Sequence, residues 1–155
     1  MKRDYTGLIK ELKKINPTKL DSLFLDFHEE EFAEIDCLEC GNCCKSLGPR
    51  LLNIDIERLS AHLKIKSSVF VDKYLRIDED NDFVFKTMPC PFLMEDNFCI
   101  VYKSRPKACR EYPHTNQKNI KSILTICEKN TLTCPVVFNI FEKLDKLTSK
   151  WTGLN

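Results

Sequence analysis

Cysteine is the residue type in this chain that is best able to do chemistry. Nine cysteines occur among 155 residues, and four of them fall within eight positions, at Cys37, Cys40, Cys43 and Cys44. A Cys-x2-Cys spacing lets two thiolates converge on one metal, while the turn between them offers backbone N–H groups to the sulfurs. The residues between Cys40 and Cys43 are Gly and Asn, which tolerate the positive φ of such a turn. The segment therefore predicts a metal site.

The spacing also bears on which metal is bound. Structural zinc sites usually combine two separate Cys-x2–4-Cys pairs, one at each end of a loop. Three cysteines at intervals of three, as at Cys37, Cys40 and Cys43, are more typical of an iron-sulfur loop whose fourth cysteine comes from elsewhere, often before a proline. An iron-sulfur cluster of the 4Fe-4S type is the first interpretation, and zinc stays open as the second. A thioredoxin-like redox pair at Cys37 and Cys40 is a minor alternative.

Further cysteines lie far from this segment along the chain. Cys90, Cys99 and Cys109 are too widely spaced to form Cys-x2-Cys pairs, and their number beside a dense cluster favours ligands over isolated core thiols. Cys134 is predicted to be a further ligand from the C-terminal part of the chain, called here the late ligand. The proline that follows it begins a helix, and the start of a helix favours an anionic sulfur. Cys127 lies in an apolar run and is predicted to be a packed thiol.

The predicted metal ligands are therefore Cys37, Cys40, Cys43, Cys44, Cys90, Cys99, Cys109 and Cys134. Eight thiolates would supply two four-thiolate sites. One site with additional redox-active or packed thiols is the simpler alternative. Arg105 and Arg110 flank Cys109, and for both a role beside the cluster and a solvated surface role stay open. The three histidines, His28, His62 and His114, have no ligand-like spacing with the cysteines.

The two cysteine blocks together resemble a known family. The first block reads C-x2-C-x2-C-C, and the second, from Cys90 to Pro113, reads C-P-F-L…C-x-V-Y-x-x-R-P-x-x-C-R-x-Y-P. Both are similar to the CxxCxxCC, or YkgJ-like, cysteine-cluster family, which is described as zinc- or iron-chelating. The resemblance runs from about Cys37 to Cys134 and implies a metal site that uses the first seven of the predicted ligands. Its non-cysteine signature is matched by Arg105, Pro106, Arg110, Tyr112 and Pro113.

No catalytic constellation is identifiable in the sequence. It contains no G-x-G-x-x-G, P-loop or G-x-S-x-G motif. A similar cysteine motif occurs in the much longer flagellin lysine N-methylases, but nothing here resembles a methyltransferase domain. Two function classes remain. One is an iron-sulfur or iron-binding protein with a redox or metal-handling accessory role, and the other is a zinc-stabilised structural or adaptor domain without a redox role.

Composition excludes several other classes of protein. The formal net charge of +1 argues against a nucleic-acid binder, which depends on a large basic excess. No apolar run approaches the ~20 residues that cross a bilayer, so no membrane partner is expected. The N-terminal segment has no signal-peptide apolar core, and the expected location is cytoplasmic. The sequence indicates a metal partner but no particular protein partner.

Helices must position most of these residues. The length and periodicity predict one domain over residues 1–155 of the α+β class, mostly α-helical, in which flanking helices pack a small irregular cysteine core. Its parts are an N-terminal helix at 18–36, a cysteine-cluster core at 37–134 and a C-terminal helix at 135–151. Short strands are predicted at 51–54 and 83–85. The predicted helix caps are Thr18, Asp55 and either Ser67 or Ser68.

Overall fold

The structure, a computed structural model, describes residues 3–152. The chain is 61% helical with a small two-stranded antiparallel sheet, which confirms the α+β, mostly helical class. The strands are β1 (Leu75–Ile77) and β2 (Phe83–Phe85), and Leu75 pairs with Phe85. The helices are α1 (Thr6–Lys14), α2 (Pro17–Glu34), α3 (Cys37–Cys40), α4 (Asn42–Ser46), α5 (Asn53–Leu63), α6 (Ser67–Tyr74), α7 (Lys107–Glu111), α8 (Leu124–Asn130) and α9 (Pro135–Thr152).

The described chain divides into two compact units. The helical unit consists of residues 3–36 and 113–152, and the cysteine unit is Cys37–Tyr112. The sequence places the end of the cysteine core at residue 134, whereas this division falls after Tyr112, so residues 113–134 group with the helices. That residues 1–155 act as one domain stays a prediction. None of the helices within residues 3–152 has the length and apolar character needed to cross a membrane.

In the helical unit, α2 and α9 pack against each other around an apolar core. Leu20 and Phe24 of α2 and Phe141 of α9 are fully buried, as the apolar stripes of both helices predict. The Phe141 ring meets those of Tyr5 and Phe24 edge-on, with centroids 5.0 and 6.3 Å away. The predicted helices at 18–36 and 135–151 are thus observed as α2 and α9, with ends shifted by one or two residues.

The cap predicted at Thr18 is wrong, because α2 begins one residue earlier, at Pro17. The Asn16 side chain accepts hydrogen bonds from the backbone N–H groups of Thr18 and Lys19, at 3.0 and 3.2 Å. Proline has no N–H to satisfy at the first helical position, and its fixed φ suits that position. The residue before it therefore becomes the cap.

The cysteine unit also differs from expectation at its first long helix. Only Leu51 of the strand predicted at 51–54 is paired, in a single bridge to Phe83, and α5 begins at Asn53. Asp55 is not the cap but the third helical residue. Its side chain accepts the backbone N–H of Leu52 at 2.9 Å. This bond closes the first helical turn, so the segment cannot continue as a strand.

The α6 boundaries show a similar shift. Neither Ser67 nor Ser68 caps α6, because the helix starts at Ser67 itself and its cap position is Lys66. The helix ends at Tyr74, and Leu75 begins the β1 strand. The β2 strand at Phe83–Phe85 is confirmed. With Leu59 and Phe70, the two strands and the chain near Phe92 enclose a second apolar core.

The link between α3 and α4 is a single glycine in the left-handed region. Gly41 has φ 60°, and a Cβ at this position would lie 2.8 Å from Oδ1 of Asn97. The Asn97 amide also donates to the carbonyl of Glu39 at 3.2 Å, so it cannot easily move away. Both the backbone conformation and the close approach therefore require glycine.

We expect Gly41→Ala to destabilise the protein by at least ~1–2 kcal/mol, the usual cost of left-handed backbone at a residue with Cβ. The matched control is Gly7→Ala in α1, where an added Cβ meets nothing within 4 Å. The control should be neutral or stabilising by up to ~1 kcal/mol, because alanine favours helix. Urea unfolding followed by circular dichroism measures both. Equal stability of the two variants would contradict the assignment of strain to Gly41.

Candidate metal centre

The four clustered cysteines lie on two very short helices. Cys37 and Cys40 are the first and last residues of α3, and Cys43 and Cys44 lie inside α4. The left-handed backbone of Gly41 separates the two helices, so the chain turns sharply between the two pairs of thiols. Cys37 is exposed, and the other three are half-buried.

Cys90 and Cys99 lie on the two arms of a tight hairpin. Leu93 forms an antiparallel bridge with Cys99, and backbone hydrogen bonds run from Met94 to Phe98 at 2.8 Å and from Ile100 to Phe92 at 3.0 Å. The Cys90 backbone N–H donates to the carbonyl of Cys44 at 2.8 Å, which ties the base of the hairpin to α4. Both cysteines pack against the apolar core of the cysteine unit.

Cys109 is the third residue of α7. The α7 helix has only five residues and starts after Pro106. Its first backbone N–H, from Lys107, donates to the buried carboxylate of Asp55 at 3.1 Å. Asp55 of α5 therefore fixes the start of the helix that carries Cys109.

The fold brings five thiols close to one another. They belong to Cys43, Cys44, Cys90, Cys99 and Cys109, and each is near enough to at least one other for its charge to alter the neighbour's pKa. The Sγ atoms of Cys43 and Cys44 are 4.0 Å apart. These five come from three segments, in which Cys43 and Cys109 are 66 positions apart, and all five are half-buried.

Burial and mutual repulsion both disfavour ionised thiols in this group. They raise the pKa of Cys109 to about 12, with burial the larger cause and the charges of Cys90, Cys43 and Cys99 adding to it. A hydrogen bond between the adjacent thiols raises the pKa of Cys43 far above its usual range and lowers that of Cys44. Cys44 is thus the thiol of that pair that ionises first. Several thiolates can coexist here only if a cation offsets their charges.

Backbone N–H groups point at two of the sulfurs. Cys90 receives hydrogen bonds from the N–H groups of Phe92 and Leu93, and Cys99 receives one from Val101. Each of these bonds favours the thiolate and lowers the pKa of its cysteine, although burial keeps the net pKa raised. Hydrogen bonds of this kind are a usual part of the surroundings of metal-bound thiolates.

A cation also lies beside the thiols. The charge of Arg105 lowers the pKa of both Cys99 and Cys109, although burial outweighs it in each case. The guanidinium stacks over the Tyr102 ring at 3.7 Å, and its Nε donates to the Tyr102 carbonyl at 3.0 Å. Of the two alternatives left open by the sequence, Arg105 thus takes the position beside the cluster. Arg110 is exposed on α7.

The remaining two cysteines belong to the helical unit. Cys127 is fully buried in its apolar core, which confirms the prediction of a packed thiol, and burial raises its pKa to about 12. Cys134 is half-buried against the same core, immediately before α9, and its N–H donates to the Asn130 carbonyl at 2.8 Å. The role of Cys134 as a ligand stays a prediction.

The histidines make hydrogen bonds to other side chains. His28 bonds to Thr115 at 2.7 Å, His62 to Ser104 at 2.9 Å, and His114 to Gln117 at 2.7 Å. Burial lowers the pKa of His28.

The chemistry of the clustered donors fits zinc or iron. An all-sulfur set of soft ligands is typical of tetrahedral zinc and of iron-sulfur centres, and it does not suit magnesium or calcium. Within residues 3–152, no three Cys, His, Asp or Glu side chains stand at the separations that one metal ion imposes. The five thiols are therefore neighbours, but they do not form a closed cage.

Sequence reasoning missed the importance of Asp55 and Arg58. It treated Asp55 as a helix cap alone, whereas the carboxylate also binds Arg58 Nη2 at 2.7 Å and the N–H of Lys107. The i, i+3 spacing of an acid and an arginine on a predicted helix was the only available signal, and such pairs usually lie on the surface. The distant partner, 52 positions away, is visible only in the folded chain.

Comparison with known proteins assigns this part of the chain to a metal-chelating family. The family model CxxCxxCC, described as "Putative zinc- or iron-chelating domain", matches residues 36–128. The uncharacterized protein MJ0661 of Methanocaldococcus jannaschii is 31% identical over 93 residues, which cover 57% of this chain and 50% of that protein. The alignment thus spans about half the length of this relative. No solved structure matches the chain.

The matched region contains the whole cysteine unit, including all five clustered thiols, and extends into the first part of α8. It covers more than half of the chain. By its cysteine motif and the extent of this match, the chain belongs to the CxxCxxCC family of zinc- or iron-chelating domains.

Proposed function

We propose that the cysteine unit holds an iron-sulfur cluster, and that the protein serves as a redox or metal-handling accessory protein. The observation that carries this proposal is the gathering of five free thiols from three chain segments into one half-buried group. Burial and mutual repulsion make that arrangement unfavourable when the thiols are ionised and no cation is bound. A bound metal would offset the charge and supply the attraction that holds the segments together.

Three features favour iron-sulfur over a plain metal ion. Cys37, Cys40 and Cys43 have the spacing of an iron-sulfur loop. The N–H groups directed at Cys90 and Cys99 are donors of the kind that tune the potential of such clusters. Partial exposure of the thiols would leave the centre accessible to a redox partner. When bound, the cluster would supply one-electron chemistry, while the chain positions the thiols and shields them from solvent.

A zinc-stabilised structural or adaptor domain is the second candidate. The same all-sulfur donor set is a suitable tetrahedral environment for zinc. Cys90 and Cys99 also pack against the apolar core of the cysteine unit, so a zinc ion bound there would stabilise the fold directly. In this case the metal has no redox role.

The proposed donors extend beyond the five clustered thiols. Cys40 precedes Cys43 by one short turn, and Cys37 lies at the other end of the same α3 helix, so both stand next to the clustered thiols along the chain. Cys134 remains the proposed late ligand for the reasons given by its sequence context. A cytoplasmic location, where thiols stay reduced, would suit this chemistry.

The full chain, purified without oxygen, should be brown and contain iron and acid-labile sulfide, with broad visible absorption that weakens on reduction. Metal analysis, sulfide analysis and spectroscopy on the same sample test this. A colourless protein with stoichiometric zinc would contradict the iron-sulfur proposal and support the zinc candidate. Protein without either metal, even after anaerobic reconstitution, would overturn both.

Single replacements of Cys37, Cys40 or Cys44 by serine should each abolish stoichiometric metal, because a serine hydroxyl is a much poorer ligand for these soft metals. Cys127→Ala is the matched control, since that thiol is buried in the core of the helical unit. The control should retain its metal and lose only some stability. If all three serine variants kept full metal content, the cysteine cluster would not be the site.

Cys134→Ala is expected to lower the metal content and to release the start of α9, because a metal-bound Cys134 would anchor that helix. Amide hydrogen exchange across residues 136–151 should then become faster than in the unaltered chain. Cys127→Ala should change both measurements much less. The opposite ranking would show that Cys127, and not Cys134, is the late ligand.

A further inference from the structure

A buried carboxylate joins two helices of the cysteine unit. The Asp55 side chain is 0% exposed. One of its oxygens accepts the N–H of Leu52 at 2.9 Å, at the start of α5. The other accepts the N–H of Lys107 at 3.1 Å, at the start of α7, and Nη2 of Arg58 at 2.7 Å. One side chain thus ties together two helix starts, at Asn53 and Lys107, that lie 54 positions apart.

Arg58 extends the same network along the chain before α7. Its Nη2 also donates to the carbonyl of Arg105 at 2.8 Å, and its Nε donates to that of Ser104 at 3.4 Å. Asp55 and Arg58 together therefore hold the backbone from Ser104 to Lys107. We call this pair and its contacts the α5–α7 brace.

The held segment leads directly to the thiol cluster. Cys109 follows Lys107 by two residues, and α7 is too short to keep its geometry without tertiary contacts. Arg105, whose charge acts on the thiols of Cys99 and Cys109, lies within the held segment itself. The position of one clustered thiol and of the nearby cation thus depends on the brace.

We infer that Asp55 and Arg58 are positioning residues of the metal centre, which act through the Ser104–Lys107 segment to hold Cys109 in place for metal binding. This inference rests on the proposed function of the cysteine unit as a metal site. Only one bond of the brace, from Leu52, serves the start of α5. The bonds to Lys107, Arg105 and Ser104 restrain the other segment, and preorganisation of a ligand reduces the entropy lost when metal binds.

One contact of the brace can be broken without changing Asp55 or Arg58. Lys107→Pro replaces the N–H that donates to Asp55 with a ring carbon that pushes against the carboxylate, although proline itself suits the first position of a helix. The preceding residue, Pro106, already has φ −53° and ψ 150°, the region that a following proline requires. Lys107→Ala is the matched control, because it removes the same side chain and its ion pair with Glu111 but keeps the N–H.

The readout is Co²⁺ binding to the full chain after removal of any native metal. All-sulfur sites accept Co²⁺, and its visible absorption reports the geometry of the ligands. We expect Lys107→Pro to bind Co²⁺ roughly tenfold more weakly than Lys107→Ala, with altered visible bands that report a changed ligand geometry. Arg58→Lys keeps the charge but loses the planar guanidinium that donates several hydrogen bonds at once, and it should weaken Co²⁺ binding by a comparable factor.

Asp55→Asn should have a larger effect, roughly 10- to 100-fold, because it removes the charge from the centre of the brace. Equal Co²⁺ affinity and identical spectra for Lys107→Pro and Lys107→Ala would overturn the positioning role, whether or not the Asp55 variant folds. If the unaltered chain bound no Co²⁺, zinc or iron, the proposed function would fall first, and the inference with it. The two failures are therefore distinguishable.

Discussion

The cysteine unit has to hold five thiols close together in a partly dehydrated place. Ionised thiols repel one another, and burial adds to the cost of each charge, which is why the pKa of Cys109 rises to about 12. The group is stable only while most of its thiols stay protonated or while a metal cation replaces the protons. The other contacts of the unit are best understood as support for this group, since they restrain the segments that carry the thiols.

The thiols are carried by elements that have little stability of their own. The α4 and α7 helices have five residues each, and Cys90 and Cys99 lie on a hairpin. Such pieces do not persist in isolation. Specific polar contacts compensate for this: Cys90 to the carbonyl of Cys44, Asn97 to that of Glu39, and Asp55 to the N–H of Lys107. A metal would add a further link between the same segments.

The helical unit follows a different principle. Long amphipathic helices bury Leu20, Phe24 and Phe141 in a continuous apolar core. Its two cysteines belong to that packing, Cys127 at the centre and Cys134 at the edge. The chain thus combines one unit stabilised mainly by apolar burial with another whose small apolar core is joined to the clustered thiols.

The sequence by itself determined the features that depend on local pattern: the α2 and α9 helices, the β2 strand, the packed state of Cys127 and the family motif. Helical periodicity and cysteine spacing are properties of neighbouring residues. Only the tertiary structure decided which distant thiols meet, because the approach of Cys109 to Cys44 follows from chain reversal and long-range bonds. The same holds for Asp55. Its local pattern indicated a helix cap, but its buried carboxylate also holds a segment 52 positions away. Its partner there is a backbone N–H, which every residue except proline possesses, and no sequence pattern can therefore identify it.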